Sequence, residues 1–483
     1  MRYRGLQPNA EGFDQRDEDV YHIVMTDGVR ILTIPRGDPV NAYSMGGIVR
    51  DAGLSIKKLA TNECLIGVPY SSSADRYAAA KGCSEPPPSR YGMRRRFGAR
   101  GPIVASRVVA FLSLMAVVVG QACVEGSLKH VPTDAELGAD VEHLAKRLAE
   151  EDAFSGVVFL SHRGQPVLRQ AFGLADRDER RPNTIDTPFE LASVSKMFTA
   201  VMVAQLVERN KISLDATIGS LLPGYPPGQA RSQVTVRHLL TMSSGIPDLF
   251  RSPRFWAGLP DVKTLSDFWS FFATEPLQFS PGTRWSYSNS NFLILGSIIE
   301  RSEGVPFPAA VQQHVFRPAG MTHTSYQSQA FPERARGYTH TPPGSPPGGR
   351  LDPHSWYATS KGSAANGGTP AGSPMGGGVS TASDLARFAE ALMSGRLLSR
   401  EWTKRVLTGY VPTPYGRDGY GFETRAWNGV RIVGHVGGFT GISNQVDFYP
   451  DLGYVLVVLG NSDARGTQEL ADRVRTLIAG SPM

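Results

Sequence analysis

Two groups of strand-like segments bracket a long helical stretch, and that arrangement restricts the fold more than any other feature of the sequence. Near the first group, Val157-Val158-Phe159-Leu160 and Val167-Leu168-Arg169-Gln170-Ala171 flank Ser161-His162-Arg163-Gly164-Gln165, the pattern of a hairpin with a glycine turn. Toward the other end, Gly419 to Arg425, Val430 to Val433, Asn444 to Phe448 and Tyr454 to Leu459 read as strands, followed by a last helix from about Gly466 to Ala479. Between the groups, residues 194–209, 234–242, 291–302 and 381–394 carry helical patterning. Ahead of them, Leu137, Val141, Leu144 and Leu148 form one apolar helix stripe. An isolated hairpin is marginal in water, so strands at both ends are stable only when joined in one sheet. The expected fold is α/β (α+β) over residues 131–483: an antiparallel sheet formed by both ends, flanked by helices, with an inserted all-helical region. Thr341 to Gly349 and Ser360 to Gly378, rich in Pro, Gly and Ser, read as long loops bordering a site.

Composition removes several function classes. The chain has 483 residues and 41% hydrophobic content, enough for more than one domain. Its net charge of +6 is modest, and five arginines lie between Arg94 and Arg107, so no nucleic-acid surface is expected on the main domain. Cys64, Cys83 and Cys123 all precede residue 130, which leaves the rest of the chain without a disulfide or a thiolate metal site. Neither His-Glu-x-x-His nor a phosphate-loop glycine motif is present, so the expectation is no metal and no cofactor.

Ser193 and Lys196 lie three apart where Phe198, Val201, Met202 and Leu206 begin to recur at helical spacing. Residues three apart share a helix face, so the hydroxyl and the amine meet. A serine needs a neighbouring base to act as a nucleophile, and a lysine serves when burial disfavours its charged form. By itself the pattern equally describes a serine near a helix start and a surface lysine.

Further stretches change that balance. Phe279-Ser280-Pro281-Gly282-Thr283-Arg284-Trp285-Ser286-Tyr287-Ser288-Asn289 runs into a helix marked by Phe292, Leu295, Ile298 and Ile299. Gly434-His435-Val436-Gly437-Gly438 stands at the edge of the C-terminal strands, and between these lie Arg237-His238-Leu239-Leu240-Thr241-Met242-Ser243-Ser244-Gly245 and Gly376-Gly377-Gly378-Val379-Ser380-Thr381-Ala382-Ser383-Asp384-Leu385. Singly, each has a plain structural reading: Asn289 or Ser290 as a helix cap, His435 as a surface histidine, Gly437-Gly438 as a bulge or close backbone approach, Met242 to Gly245 as a helix end. In this order they closely resemble the serine β-lactamase-like, penicillin-binding superfamily, in the branch holding class C β-lactamases, D-alanyl-D-alanine carboxypeptidases and family VIII esterases. The resemblance covers about residues 135–480.

That resemblance implies a serine hydrolase. Ser193 would attack a carbonyl to form an acyl-enzyme, and Lys196 would take or share its proton. Tyr287 would act with Lys196 as base and later as acid, a neighbouring ammonium favouring its phenolate. Asn289 would orient substrate or hold Lys196, with His435 and Gly437 as further substrate-binding residues. The backbone N–H groups of Ser193 and Gly438 would form the oxyanion hole.

One departure narrows the substrate. Class C β-lactamases carry Lys-Thr-Gly where this chain has His435-Val436-Gly437. Val436 has no hydroxyl, and a histidine near its ordinary pKa of about 6.5 is only partly charged at neutral pH. The expectation is hydrolysis of an ester or amide, either a D-amino-acid peptide or a small ester. Class C-like β-lactam hydrolysis is the alternative within the enzymes. A non-catalytic penicillin-binding sensor or assembly protein is the alternative outside them, although such relatives usually lose one of the three residues that Ser193, Lys196 and Tyr287 retain here.

Residues 1–92 read as a different protein. His22-Ile23-Val24-Met25 and Arg30-Ile31-Leu32-Thr33-Ile34 form a hairpin pattern around Thr26-Asp27-Gly28, with a helix over Ser44 to Asp51. Residues 1–69 resemble the C-terminal half of a HicA-like toxin, a small RNA-cleaving fold, with His22 in the place of its strand histidine. Val20-Tyr21 replaces the family's Gly-Ser and the N-terminal helix is missing, which argues for a solvent-exposed strand histidine rather than a ribonuclease. Residues 70–92 read as linker. Residues 93–123 have the form of a signal peptide: Arg94-Arg95-Arg96, a 13-residue apolar run from Val108 to Gly120, then Gln121-Ala122-Cys123. The run is short for a membrane span. A periplasmic or secreted location follows, with membrane attachment through 108–123 or lipidation of Cys123 as variants. Met93 is then the expected start, and 1–92 upstream or fused sequence. Mass spectrometry of the native N-terminus is expected to find residues 1–92 absent from the mature protein; their presence would overturn this.

Overall fold

The computed structural model describes residues 22–26, 31–35 and 132–480, apart from 253, 256–260, 328, 329, 339–372 and 440. The chain divides into two compact units, Met1–Gly120 and Gln121–Met483. In the first, His22–Thr26 and Ile31–Pro35 pair antiparallel with Thr26 opposite Ile31, the hairpin that the sequence pattern predicts. The helix over Ser44 to Asp51, the linker, the 93–123 segment with Cys123, and the loops 341–349 and 360–372 fall outside the described residues.

In the second unit an eight-stranded sheet joins the two ends of the domain. Its strands are β1 (Gly156–His162), β2 (Gln165–Phe172), β3 (Val411–Thr413), β4 (Gly416–Asp418), β5 (Glu423–Trp427), β6 (Val430–Phe439), β7 (Ile442–Tyr449) and β8 (Tyr454–Gly460). The order is β2-β1-β8-β7-β6-β5-β4-β3, and every neighbouring pair is antiparallel. The last strand lies against the first, with Tyr454 opposite His162 and Gly460 opposite Gly156. Strand side chains alternate between the two faces. Val158, Leu160, Leu456 and Val458 therefore pack on one side with the stripe of helix α1 (Asp134–Glu150), while Val157, Phe159, Val455 and Val457 join the larger core on the other. Both faces are covered, which explains why these strands read as continuous apolar runs.

Helix α1 starts at a capping box: the Thr133 side chain accepts from the Glu136 N–H, and the Glu136 carboxylate accepts from the Thr133 N–H at 2.8 Å. The inserted region carries α2 (Lys196–Glu208) and α3 (Asn289–Glu303), which pack against each other, and α4 (Ala382–Met393) returns toward the sheet. Helix α2 is buried almost from end to end, and its sequence has no polar face to offer water.

Strands β3 and β4 are not expected from the sequence pattern, and among the expected strands two boundaries differ most. The strand expected over Gly419 to Arg425 begins only at Glu423, because Gly421 adopts φ +69° and turns the chain between β4 and β5. Strand β6 runs on to Phe439, six residues beyond the expected end at Val433. Its ladder with β7 continues through Gly437 and Gly438 to the pair Phe439–Ile442, so backbone bonds hold a stretch whose side chains carry little strand signal.

Helix α5 (Gly466–Ala479) lies on the α1 side and is fastened by Arg475, which is 1% exposed. Its Nε donates to Asp447 Oδ2 at 2.8 Å and its Nη1 to Asp472 Oδ1 at 2.9 Å. Asp447 is itself fully buried. Arg475→Leu would strand that carboxylate, so urea denaturation is expected to show a loss of about 3–5 kcal/mol. A loss below about 1 kcal/mol would mean that Asp447 is satisfied without the arginine.

Candidate active site

The segment that carries Ser193 is bent into place before any helix begins. Phe189–Glu190 pairs with Val379–Ser380, and the Leu191 N–H donates to the Gly378 carbonyl at 2.9 Å. Ala192 then takes φ +46°, a left-handed conformation that costs a non-glycine residue on the order of 1 kcal/mol or more. A 3-10 turn over Ala192–Ser195 leads straight into α2 at Lys196. The expected helix over 194–209 thus opens with a tighter turn, and Ser193 sits in it. Among the described residues, the Ser193 N–H makes no backbone hydrogen bond, as the first turn of a helix allows.

Lys196 is completely buried and its Nζ lies 2.9 Å from Ser193 Oγ. The same nitrogen donates to Asn289 Oδ1 at 2.8 Å and to the Met375 carbonyl at 2.5 Å. The Tyr287 hydroxyl donates to Ser193 Oγ at 2.8 Å. Serine and lysine from one stretch and tyrosine and asparagine from another therefore form one connected cluster, joined by the Met375 carbonyl from a third. Of the two roles open to Asn289, its oxygen is spent on Lys196, while its Nδ2 donates to Asp248 Oδ2 at 2.8 Å. It holds the lysine.

Burial pulls the Lys196 pKa down to about 7, against the opposing pull of Asp248 and Glu423. Burial also pushes the Tyr287 hydroxyl above its ordinary value, only partly offset by its bond to Ser193, and the carboxylates of Asp248, Glu423 and Asp418 push it further. The phenolate expected for Tyr287 is thus corrected. The tyrosine is therefore a neutral donor, while desolvation favours the unprotonated form of the lysine.

His435 departs from its plain structural reading and from its expected partial charge. It is buried rather than on the surface, and desolvation lowers its pKa despite Glu423 nearby, so the partial charge read from the sequence gives way to a neutral ring. Its Nδ1–H donates to the Val436 carbonyl at 2.6 Å, which leaves Nε2 as the acceptor.

Gly437 and Gly438 lie in a regular ladder, not a bulge. Strand β5 covers β6 only as far as Gly434, so the far half of β6 has an edge unpaired by β5. Antiparallel bonding alternates between sides: Val430, Ile432 and Gly434 face β5, and Phe439 closes on Ile442 in β7. The same alternation turns the backbone groups of Val436 and Gly438 to the open edge. Gly437 is there for close approach, because a Cβ on it would stand 2.2 Å from the Leu191 carbonyl oxygen.

Several contributors carried no sequence signal. Met375 acts through a carbonyl, which any residue supplies. Glu423 and Asp418 face each other across β4 and β5, and the Trp285 indole N–H donates to Asp418, whose carboxyl burial and Glu423 push up to about 7. Met242 to Gly245 is more than a helix end. The Met242 carbonyl accepts from Ser286 N–H at 2.9 Å, the Ser243 carbonyl from Gly282 N–H at 2.8 Å, and Ser244 Oγ donates to Asn291 Oδ1 at 2.7 Å, so the stretch braces the Tyr287 loop.

A family model described as Beta-lactamase matches residues 141–480. The chain belongs to this family. It is a β-lactamase-family serine hydrolase, within a superfamily that includes penicillin-binding proteins and esterases. Penicillin-binding protein 4* of Bacillus subtilis (strain 168) is 29% identical over 356 residues, which cover 71% of this chain and 76% of its own length. Esterase EstB of Burkholderia gladioli is 36% identical over 206 residues, 39% of this chain and 50% of EstB. The crystal structure of a penicillin binding protein from Bacillus halodurans superposes with a TM-score of 0.59 at 30% identity, covering 69% of this chain and 99% of that one. The antiparallel sheet with an inserted helical region is thus the β-lactamase-like fold.

Within this fold the distance between β6 and the Ser193 turn is set by the absence of a side chain at 437. Gly437→Ala would force Leu191 and the adjoining serine away from the strand. Turnover is expected to fall on the order of a hundredfold, read as kcat on any accepted ester with the melting temperature followed in parallel. Gly438→Ala, whose Cβ meets nothing within 4 Å, is the contrast: a milder loss is expected there.

Proposed function

We propose that the protein hydrolyses small esters or amides through an acyl-enzyme on Ser193, with Lys196 as the base. The observation that carries this is the chain of short contacts from the Tyr287 hydroxyl to Ser193 Oγ and on to a buried Lys196 Nζ. A neutral amine has two hydrogens and one lone pair. Asn289 Oδ1 and the Met375 carbonyl only accept, so they take the two hydrogens, and the lone pair is left to face Ser193.

The serine proton passes to Nζ as Oγ bonds to the substrate's carbonyl carbon, and the carbonyl π pair moves onto oxygen. The Ser193 and Gly438 N–H groups receive that oxyanion; losing one such donor typically costs about a hundredfold or more. Collapse expels the alcohol or amine, which takes a proton from the Tyr287 hydroxyl, and Tyr287 regains one from the Lys196 ammonium. Water then attacks the acyl carbon, with the same groups acting in reverse.

Charge favours a substrate without a carboxylate at the β6 edge. Among the described residues, Lys196 is held by the Asn289 and Met375 oxygens, Arg425 is paired with Glu423 at 2.7 Å, and His435 is buried with its pKa lowered by desolvation. No lysine stands where class C β-lactamases place theirs. The esterase relative supports an ester, and its half-length match makes that activity a proposal for this chain. Export to the periplasm or beyond is proposed on the sequence of residues 93–123 alone.

The full chain should be assayed with a short-chain nitrophenyl ester, a chromogenic cephalosporin and a D-Ala-D-Ala peptide, with Ser193→Ala as control. Ester turnover is expected, falling about a thousandfold or more in the variant. Below about pH 7 the amine is protonated and has no lone pair, so kcat/KM should fall tenfold per pH unit on the acid side and level off above it. Equal turnover by Ser193→Ala would remove the mechanism. Faster hydrolysis of the cephalosporin than of the ester would overturn the substrate class, and covalent labelling without turnover would point to a sensor.

A further inference from the structure

Asp248 lies just beyond the Met242 to Gly245 stretch and outside the motifs that the sequence singles out. Its Oδ2 accepts from the Asn289 backbone N–H at 2.7 Å and from Asn289 Nδ2 at 2.8 Å, and its Oδ1 accepts from the Phe250 N–H at 2.8 Å. The loop is tied to the start of α3 as well: Leu249 N–H donates to Ser290 Oγ at 3.0 Å, and Ser290 Oγ donates to the Pro247 carbonyl at 2.8 Å. A side-chain amide has an oxygen and a nitrogen of nearly the same shape, so its orientation is decided by its neighbours. A carboxylate has no proton to donate and so admits only the nitrogen end.

We infer that Asp248 is a positioning residue for acylation: it turns the Asn289 amide so that its oxygen meets Lys196, and so holds the amine against Ser193. The inference rests on Lys196 being the base. With the amide reversed, Nδ2 would meet the lysine donor to donor, and the amine would lose one of the acceptors that aim its lone pair. Oδ1 serves the Phe250 N–H and Oδ2 the first N–H of α3, and neither backbone contact requires the Asn289 side chain to meet the carboxylate as well. The aspartate also acts on Lys196 through its charge, in company with other groups. Glu423 on β5 is the second anion that favours the ammonium; His435 on β6, the Tyr287 ring at 5.1 Å and the Phe292 ring at 5.6 Å complete the surroundings, and Asp418 stands across from Glu423.

The test uses the full chain and a fluorophosphonate probe, which phosphonylates a reactive serine with loss of fluoride and so reads Ser193 whatever the natural substrate. Labelling by Asp248→Asn is expected to slow by about tenfold to a hundredfold. Its acid limb should also move to lower pH, because removing the anion weakens the hold on the ammonium proton. Asp248→Glu, which keeps the charge, should leave the limb near its wild-type position. Should Asp248→Asn lose its cooperative melt, Asn289→Ala serves, and it should move the limb in the same direction. Acting through one amide, the two changes should not add in Asp248→Asn/Asn289→Ala. An unmoved limb in both single variants, or fully additive losses in the double variant, overturns the positioning role while leaving the catalytic reading intact. Labelling of Ser193→Ala as fast as wild type overturns both.

Discussion

A lysine amine with no exposure to water is the constraint on which the site depends. Taking an ammonium out of water is costly, and the protein can lower that cost by pairing the charge or by shedding the proton. Lys196 stands between these outcomes. Asp248 and Glu423 are near enough to favour the charge, yet its direct partners are neutral oxygens, and burial wins by enough to leave the pKa near 7. An amine in that balance exchanges between its two protonation states near neutral pH while remaining hydrogen-bonded in either.

The surrounding structure supplies what such an amine requires. Helix α2 buries it by being apolar on every side, and α3 brings Asn289 to its oxygen-accepting position. The short pairing of Phe189–Glu190 with Val379–Ser380 draws the chain near Met375 to the lysine, which gives an otherwise unremarkable carbonyl a functional place. Strand β6 closes the other side, and Gly437 sets its distance from the Ser193 turn. The tyrosine is then a proton donor by default. Buried among carboxylates and bonded to the serine, it has every reason to remain a phenol.

The pattern of apolar residues was sufficient to place strands at both ends of the domain, the helices between them and the closing helix α5, because each period reflects which side chains must leave water. It was less able to place the ends of elements. Gly421 interrupts one expected strand by its backbone conformation, and β6 outlasts its side-chain pattern because backbone hydrogen bonds need no particular side chain. Ser193, Lys196, Tyr287 and Asn289 stood out because side-chain chemistry and spacing mark them, whereas Gly437, expected to bind substrate, instead lets the strand approach the Leu191 carbonyl. Met375 did not stand out, since a carbonyl leaves no mark in sequence, and Asp248 did not, since an aspartate after a loop proline looks like a turn.

The sequence by itself therefore determined which functional groups the chain possesses, the order in which they occur and the family to which they belong. It left open the proton each group carries, because that depends on desolvation and on charges brought in from distant segments. Only the tertiary structure decided that burial lowers the Lys196 pKa while it raises that of Tyr287, that His435 is desolvated inside the sheet, and that Asn289 faces the lysine. Those are properties of a shared buried volume, and residues far apart in the chain acquire them only once they enclose it.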